Sequence, residues 1–180
     1  MNTRTYTIAG IVLKRSNVGE SDRVVTILSK EEGRQVYVAK GVRRTNSSSG
    51  SYFEPGNRIT AHCVRTKSLP ILTQSKLIAS GHESKSRSLA DIRRISQLLE
   101  IFDGVFVAEE LETPVFNQIE LLHSQALMGT TPIDELRRNV RFLIQLMGFD
   151  ISQDPKKSLA EELSTILEKP LRSFDFLVVK

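Results

Sequence analysis

Hydrolytic, redox and metal chemistry is built from histidine, cysteine, nucleophilic serine and paired carboxylates at defined spacings, and in this chain those residues stand apart. The three histidines, His62, His82 and His123, lie far from one another, so no pair has metal-ligand spacing. Cys63 is the single cysteine, which excludes an intrachain disulfide and a multi-cysteine zinc site. No G-x-S-x-G elbow frames a serine, and no phosphate-binding glycine signature occurs. The carboxylate pairs Glu31-Glu32, Glu109-Glu110 and Glu161-Glu162 fall in a turn or on polar helix faces, where solvated charge accounts for them. The expectation is a protein that is not an enzyme and that holds neither cofactor nor metal.

The positive signal is cationic. The chain of 180 residues carries a formal net charge of +4, but residues 1–79 hold 13 Lys and Arg against 5 Asp and Glu, while residues 80–180 hold 12 against 16. A polyanion-facing module joined to a second module accounts for that asymmetry; an uneven solvating surface is the plainer alternative. Lys14, Arg15, Arg23, Arg34, Lys40, Arg43, Arg44, Arg65 and Lys67 group at strand ends and in loops, where an oligonucleotide-binding barrel places its phosphate contacts. Stacking platforms are few: Tyr6, Tyr37, Tyr52 and Phe53 are the candidates, and Phe53 fits a barrel core equally well. Cations without many aromatics predict backbone-directed, weakly sequence-selective binding.

The elements that must position these side chains are strands first. Thr5 to Arg15 alternates and breaks at Ser16 to Gly19; Arg23 to Ser29 and Arg34 to Lys40 follow, joined by Lys30 to Gly33. The polar stretch Arg43 to Ser51 reads as a mobile loop closed by Phe53-Glu54-Pro55-Gly56. Asn57 to Arg65 and Ile71 to Ala79 complete five strands, with Thr66 to Pro70 as a turn. Five short antiparallel strands hide their edges most economically by closing into a small barrel.

Helices follow. Ser88 and Asp91 form a capping-box pattern ahead of a stripe from Leu89 through Phe102 to Phe106. Thr113-Pro114 and Thr131-Pro132 are start signals for two further helices, which end at Gly129 and Gly148. Asp154-Pro155 opens a fourth helix that breaks at Pro170, and a short last helix is expected near Arg172 to Val178. The reading is α+β: an all-β barrel over residues 1–79 followed by an all-α bundle over residues 80–180. No stretch approaches the length of a membrane span, and the N-terminal apolar run is too short for a signal peptide, so a soluble intracellular protein is expected.

Two runs are more particular than composition. Gly19-Glu20-Ser21-Asp22-Arg23-Val24-Val25-Thr26, then Val38-Ala39-Lys40-Gly41-Val42-Arg43-Arg44, resemble the N-terminal domain of the bacterial recombination mediator RecO family. Leu136-Arg137-Arg138 with Leu146-Met147-Gly148-Phe149, and Lys169-Pro170-Leu171-Arg172-Ser173, are similar to later motifs of that family in the same order. The resemblance implies an OB-like barrel and a non-enzymatic protein that binds single- and double-stranded DNA and anneals complementary strands. It also implies a RecR-like partner, help in loading recombinase onto coated strands, and a cytoplasmic, nucleoid-associated setting. It further implies capture of the acidic C-terminal tail of single-stranded-DNA-binding protein by the helical domain. Arg137, Arg138 and Arg141 on the third helix are the expected tail-binding cations, Arg138 foremost; the plainer alternative is that they solvate that helix. The family's zinc-binding or zinc-derived segment has no counterpart here, since Phe149 leads within a few residues to Asp154-Pro155 and no cysteine follows Cys63. An OB-fold adaptor for RNA is the alternative function, and an inert assembly subunit with an incidental basic face is a third.

Overall fold

The computed structural model describes residues 4–44, 47, 49–81, 88–152, 154 and 156–175. Thr45, Asn46 and Ser48 of the expected loop, His82, Pro155 and the expected helical residues 176–178 lie outside the described residues.

The chain is α+β. Strands β1 (Thr5–Val18), β2 (Asp22–Ser29), β3 (Gly33–Ala39), β4 (Arg58–Val64) and β5 (Ile71–Ala79) close into a barrel in the order β1-β2-β3-β5-β4. All neighbouring pairs are antiparallel except β3 with β5. Closure leaves no open edge, which is how so short a set of strands satisfies its backbone. Inward positions are apolar: Ile8, Val12, Val25, Ile27, Tyr37, Phe53 and Ile59 are each no more than 1% exposed. Each fully buried aliphatic side chain of this size stabilises the fold by about 1.5–3 kcal/mol.

Strand β1 runs three residues past its expected end. Ser16, Asn17 and Val18 pair with Val24, Arg23 and Asp22, so the hairpin continues beyond the core into solvent. The polar residues there mark exposure, not the end of pairing. Gly10 is required where β1 passes β2: a Cβ would stand 2.5 Å from the Leu28 carbonyl oxygen. Gly33 has φ +58 at the start of β3, as its place in a tight hairpin predicts.

The helices are α1 (Leu89–Val105), α2 (Thr113–Met128), α3 (Ile133–Leu146), α4 (Leu159–Ile166) and α5 (Arg172–Asp175). The chain divides into two compact units, residues 1–85 with 106–111, and residues 86–105 with 112–180. Phe106 thus leaves the helical stripe its spacing suggested. The Arg34 N–H donates to Val107 O at 2.8 Å and the Leu111 N–H to Lys30 O at 2.8 Å, which holds this segment on the β2–β3 hairpin.

Local side-chain caps set the starts of α1 and α4, whereas α2 and α3 begin without one, after Glu112 and Pro132, so Thr113 does not cap α2 as its place before Pro114 suggested. The Asp91 N–H donates to Ser88 Oγ at 3.2 Å while the Ser88 N–H donates back to Asp91 Oδ2 at 3.1 Å, a closed capping box before α1. Helix α4 instead begins four residues after the Pro155 that was expected to open it, capped by Ser158. Asp154 accepts the Lys156 N–H at 2.9 Å and so closes its own turn before any helix. At α5, Glu100 of α1 accepts the Arg172 and Ser173 N–H groups, each at 2.8 Å, and the Ser173 hydroxyl. No helix among the described residues is long and apolar enough to cross a membrane.

Candidate functional site

The connection from β3 to β4 is fastened at both ends to the β1–β2 hairpin. At its start Asp22 accepts the Gly41 N–H at 2.8 Å and the Ser21 hydroxyl at 3.1 Å. The Arg43 N–H donates to Ser21 O at 2.9 Å, and Arg43 Nη1 donates to Gly19 O at 3.0 Å. The Gly41 amide, then the Ser21 hydroxyl and the nearby Lys40 and Arg44, hold the Asp22 carboxyl below its ordinary range. At the far end Arg23 donates to the Gly50 carbonyl and to Glu54 at 3.3 Å, and Arg15 Nε donates to Glu54 at 2.9 Å. The Arg23 side chain is only 13% exposed, so it packs as part of this clasp.

The clasp sorts the expected phosphate ligands. Arg15 and Arg23 are committed to Glu54, and Arg43 is exposed with one nitrogen on Gly19. Lys40 and Arg44 are exposed beside them, and their side-chain nitrogens hold no hydrogen bond or ion pair among the described residues. Lys14 is exposed on β1, and Lys67 is exposed in the turn after β4. Arg34 and Arg65 belong to the other end of β3. Arg65 makes a two-pronged pair with Glu32, at 2.6 and 3.3 Å, and stacks 4.2 Å over the Tyr6 ring centroid. The structure therefore brings Arg15, Arg23, Lys40, Arg43 and Arg44 together and sets Arg34 and Arg65 apart.

The aromatic candidates divide too. Tyr37 and Phe53 are core, and burial pushes the Tyr37 hydroxyl well above its ordinary pKa. Tyr6 lies beneath Arg65, and Tyr52 is half-buried near the clasped connection. Cys63 is buried in the barrel with its thiol pushed up to about 12, which keeps it an inert core residue. His123 is buried on α2. Among the described residues no group of three or more His, Cys, Asp or Glu is placed to hold a metal ion.

In the helical unit a groove of about 520 Å³ is lined by apolar residues of α1 and α3, by Leu159 and Phe174, and by Arg93, Arg94 and Arg137. Arg94 is partly spent, donating to Gly129 O at 2.8 Å. Arg137 pairs with Asp134 at 3.3 Å, with both side chains more than half exposed, an arrangement worth little. Arg138 is exposed but does not line the groove. Arg141 corrects the sequence reading: its side chain is 3% exposed and belongs to the fold. It donates to Ser152 O at 2.7 Å, Lys157 O at 2.9 Å and Glu162 at 3.0 Å, while Glu162 also accepts the Ser152 N–H at 3.1 Å. A buried guanidinium needs such compensation. Sequence reasoning missed Arg93 and Arg94, although Arg93-Arg94 flanks the α1 stripe much as Arg137-Arg138 flanks that of α3. It also missed Asp22 and Glu54, because nothing local marks an acid inside a basic site.

Residues 1–81, which span the closed barrel, match the family described as recombination protein O N terminal. The chain is 33% identical over 117 residues to the DNA repair protein RecO of Bifidobacterium longum, covering 65% of this chain and 48% of that protein. It is 34% identical over 110 residues to the DNA repair protein RecO of Nocardioides sp., covering 61% of this chain and 45% of the relative. With Bifidobacterium adolescentis RecO the identity is 39% over 75 residues, 42% of this chain and 30% of the relative. The chain thus spans less than half the length of the curated relatives it matches. The two runs that carry the resemblance, Gly19 to Thr26 and Val38 to Arg44, are the runs that the Asp22–Gly41 hydrogen bond joins, and through this barrel the chain is similar to the RecO proteins.

Proposed function

We propose that the chain is a DNA repair and recombination mediator that acts by binding and not by bond chemistry. The observation that carries the reading is the end of a RecO-family barrel where Lys40, Arg43 and Arg44 stand exposed on a connection fastened at both ends. Fixed cations there neutralise phosphates and release counterions, which holds single- and double-stranded DNA without reading sequence. Two complementary strands repel through their phosphates, and cations shared between them lower that barrier, so annealing follows from the same surface.

The helical groove supports the second half of the reading. Its apolar floor accepts one bulky terminal side chain, and Arg93 and Arg137 at its edge meet carboxylates, the two features of the acidic tail of single-stranded-DNA-binding protein. Tail capture brings the chain to coated strands, where a RecR-like partner and recombinase act next, in a cytoplasmic, nucleoid-associated setting. The test is annealing of complementary strands coated with the cognate binding protein. Acceleration by the chain supports the mediator; unchanged rates on both coated and naked strands overturn it.

A further inference from the structure

The barrel carries a concavity that neither its core nor the clasp uses. A cleft of about 440 Å³ lies between the β3–β4 connection and β5, with Lys40, Ser49, Tyr52, Thr73, Gln74 and Ser75 among its lining residues. Val42, Phe53 and Leu72, all buried, close its floor. Among the described residues Lys40 is the one charged residue in the lining, and no carboxylate among them faces the space. The remainder is an aromatic ring with uncharged donors and acceptors. The Thr73 hydroxyl is spent on His62 O at 3.1 Å, whereas the side chains of Gln74 and Ser75 hold no hydrogen bond among the described residues.

The described ends of the connection are held in place. Asp22 and Arg23 fasten the connection at Gly41 and Gly50, and the buried Asn57 donates to Ser51 O at 2.9 Å and Tyr52 O at 3.1 Å. Tyr52 also packs against the barrel core. Lining residues held in this way take a ligand at little ordering cost.

We propose that this cleft receives one unpaired nucleotide of single-stranded DNA, its base against Tyr52, its edge on Gln74 and Ser75 and its phosphate beside Lys40. An unpaired base offers a free ring face and an unspent row of donors and acceptors, which is the chemistry of this lining. A base in a duplex has both already used, so the cleft adds affinity for single strands alone. A neutral sugar would fit the hydroxyls and the ring but leaves Lys40 without a counter-charge. The proposal rests on the DNA-binding reading above and adds strand selectivity to it.

The test measures binding of a thymidine 15-mer, an abasic strand of the same length and a duplex to the full chain. The variants are Gln74→Ala, on the exposed face of β5, and Tyr52→Leu. Each variant is expected to lose about tenfold in affinity for the thymidine strand, with the abasic strand and duplex unchanged. Equal losses on all three probes, or no loss on any, overturn the cleft as a base site. Tyr52 leans on the core, so if Tyr52→Leu fails to fold, Gln74→Ala alone decides. A wild-type chain that binds the duplex and the abasic strand as tightly as the thymidine strand removes the cleft and leaves the DNA reading standing. Binding to none of the probes removes both. Tighter binding of a uridine RNA strand than of the thymidine strand overturns the assignment to DNA.

Discussion

Asp22 accepts the backbone N–H of Gly41 at 2.8 Å, which sets a carboxylate inside the most basic end of the barrel. By charge alone that acid opposes a polyanion. By geometry it holds the start of the connection that presents Lys40, Arg43 and Arg44.

The two effects have opposite signs in a variant. Asp22→Ala is expected to weaken DNA binding severalfold even though it removes a negative charge, because the connection loses its anchor. Asp22→Asn, which keeps an oxygen acceptor, restores binding to the wild-type level or better. A gain of affinity in Asp22→Ala, read by fluorescence anisotropy, would refute the positioning role.

The same bond has a pH signature. The Asp22 carboxyl is held below its ordinary value of 3.8, first by the Gly41 amide. Its folded form therefore contributes stability that is fully present above that ordinary value and is lost as pH falls through the lowered one. Protection of the Gly41 amide from hydrogen exchange is expected to persist at pH 5 and to fall in stronger acid. In Asp22→Asn the protection should show no such step.

Arg43→Ala with Arg44→Ala is expected to weaken all DNA sequences alike and to flatten the slope of log K against log salt by about 0.7–0.9 per lost contact. Arg65→Ala is the contrasting case, since Arg65 is tied to Glu32 and Tyr6. It should leave the salt slope unchanged and cost about 1 kcal/mol of stability.

Arg141→Ala strands the Glu162 carboxylate and leaves Ser152 O and Lys157 O without their donor. A destabilisation of about 3–5 kcal/mol is expected from breaking a buried pair, seen as a lower urea midpoint. A midpoint equal to wild type would show that the connection before α4 stands without it.

Arg93→Ala with Arg137→Ala should abolish binding of an acidic peptide ending in a hydrophobic residue while leaving affinity for naked DNA intact. Arg138→Ala, outside the groove, should bind the peptide like the wild type. The reverse pattern in a peptide titration would move the docking surface to the exposed face of α3.

What was legible in the chain itself was local. Alternation marked β1 and β3, because a half-buried strand repeats every two residues. Ser88 with Asp91, and the glycines after α2 and α3, marked helix ends, because caps are satisfied within a few residues. The basic end of the barrel was visible as Lys40, Arg43 and Arg44. What tertiary structure alone decided was which charges remain available. Arg15 meets Glu54 across 39 residues, Arg65 meets Glu32 across 33, and Arg141 meets Glu162 across 21. Phe106 left its helical stripe for a similar reason: the backbone groups of Arg34 and Lys30 hold the segment that follows it on the barrel. Composition counts a guanidinium as one positive charge wherever it stands. Whether that charge faces solvent or is spent on a distant carboxylate depends on which strands and helices the closed fold brings side by side.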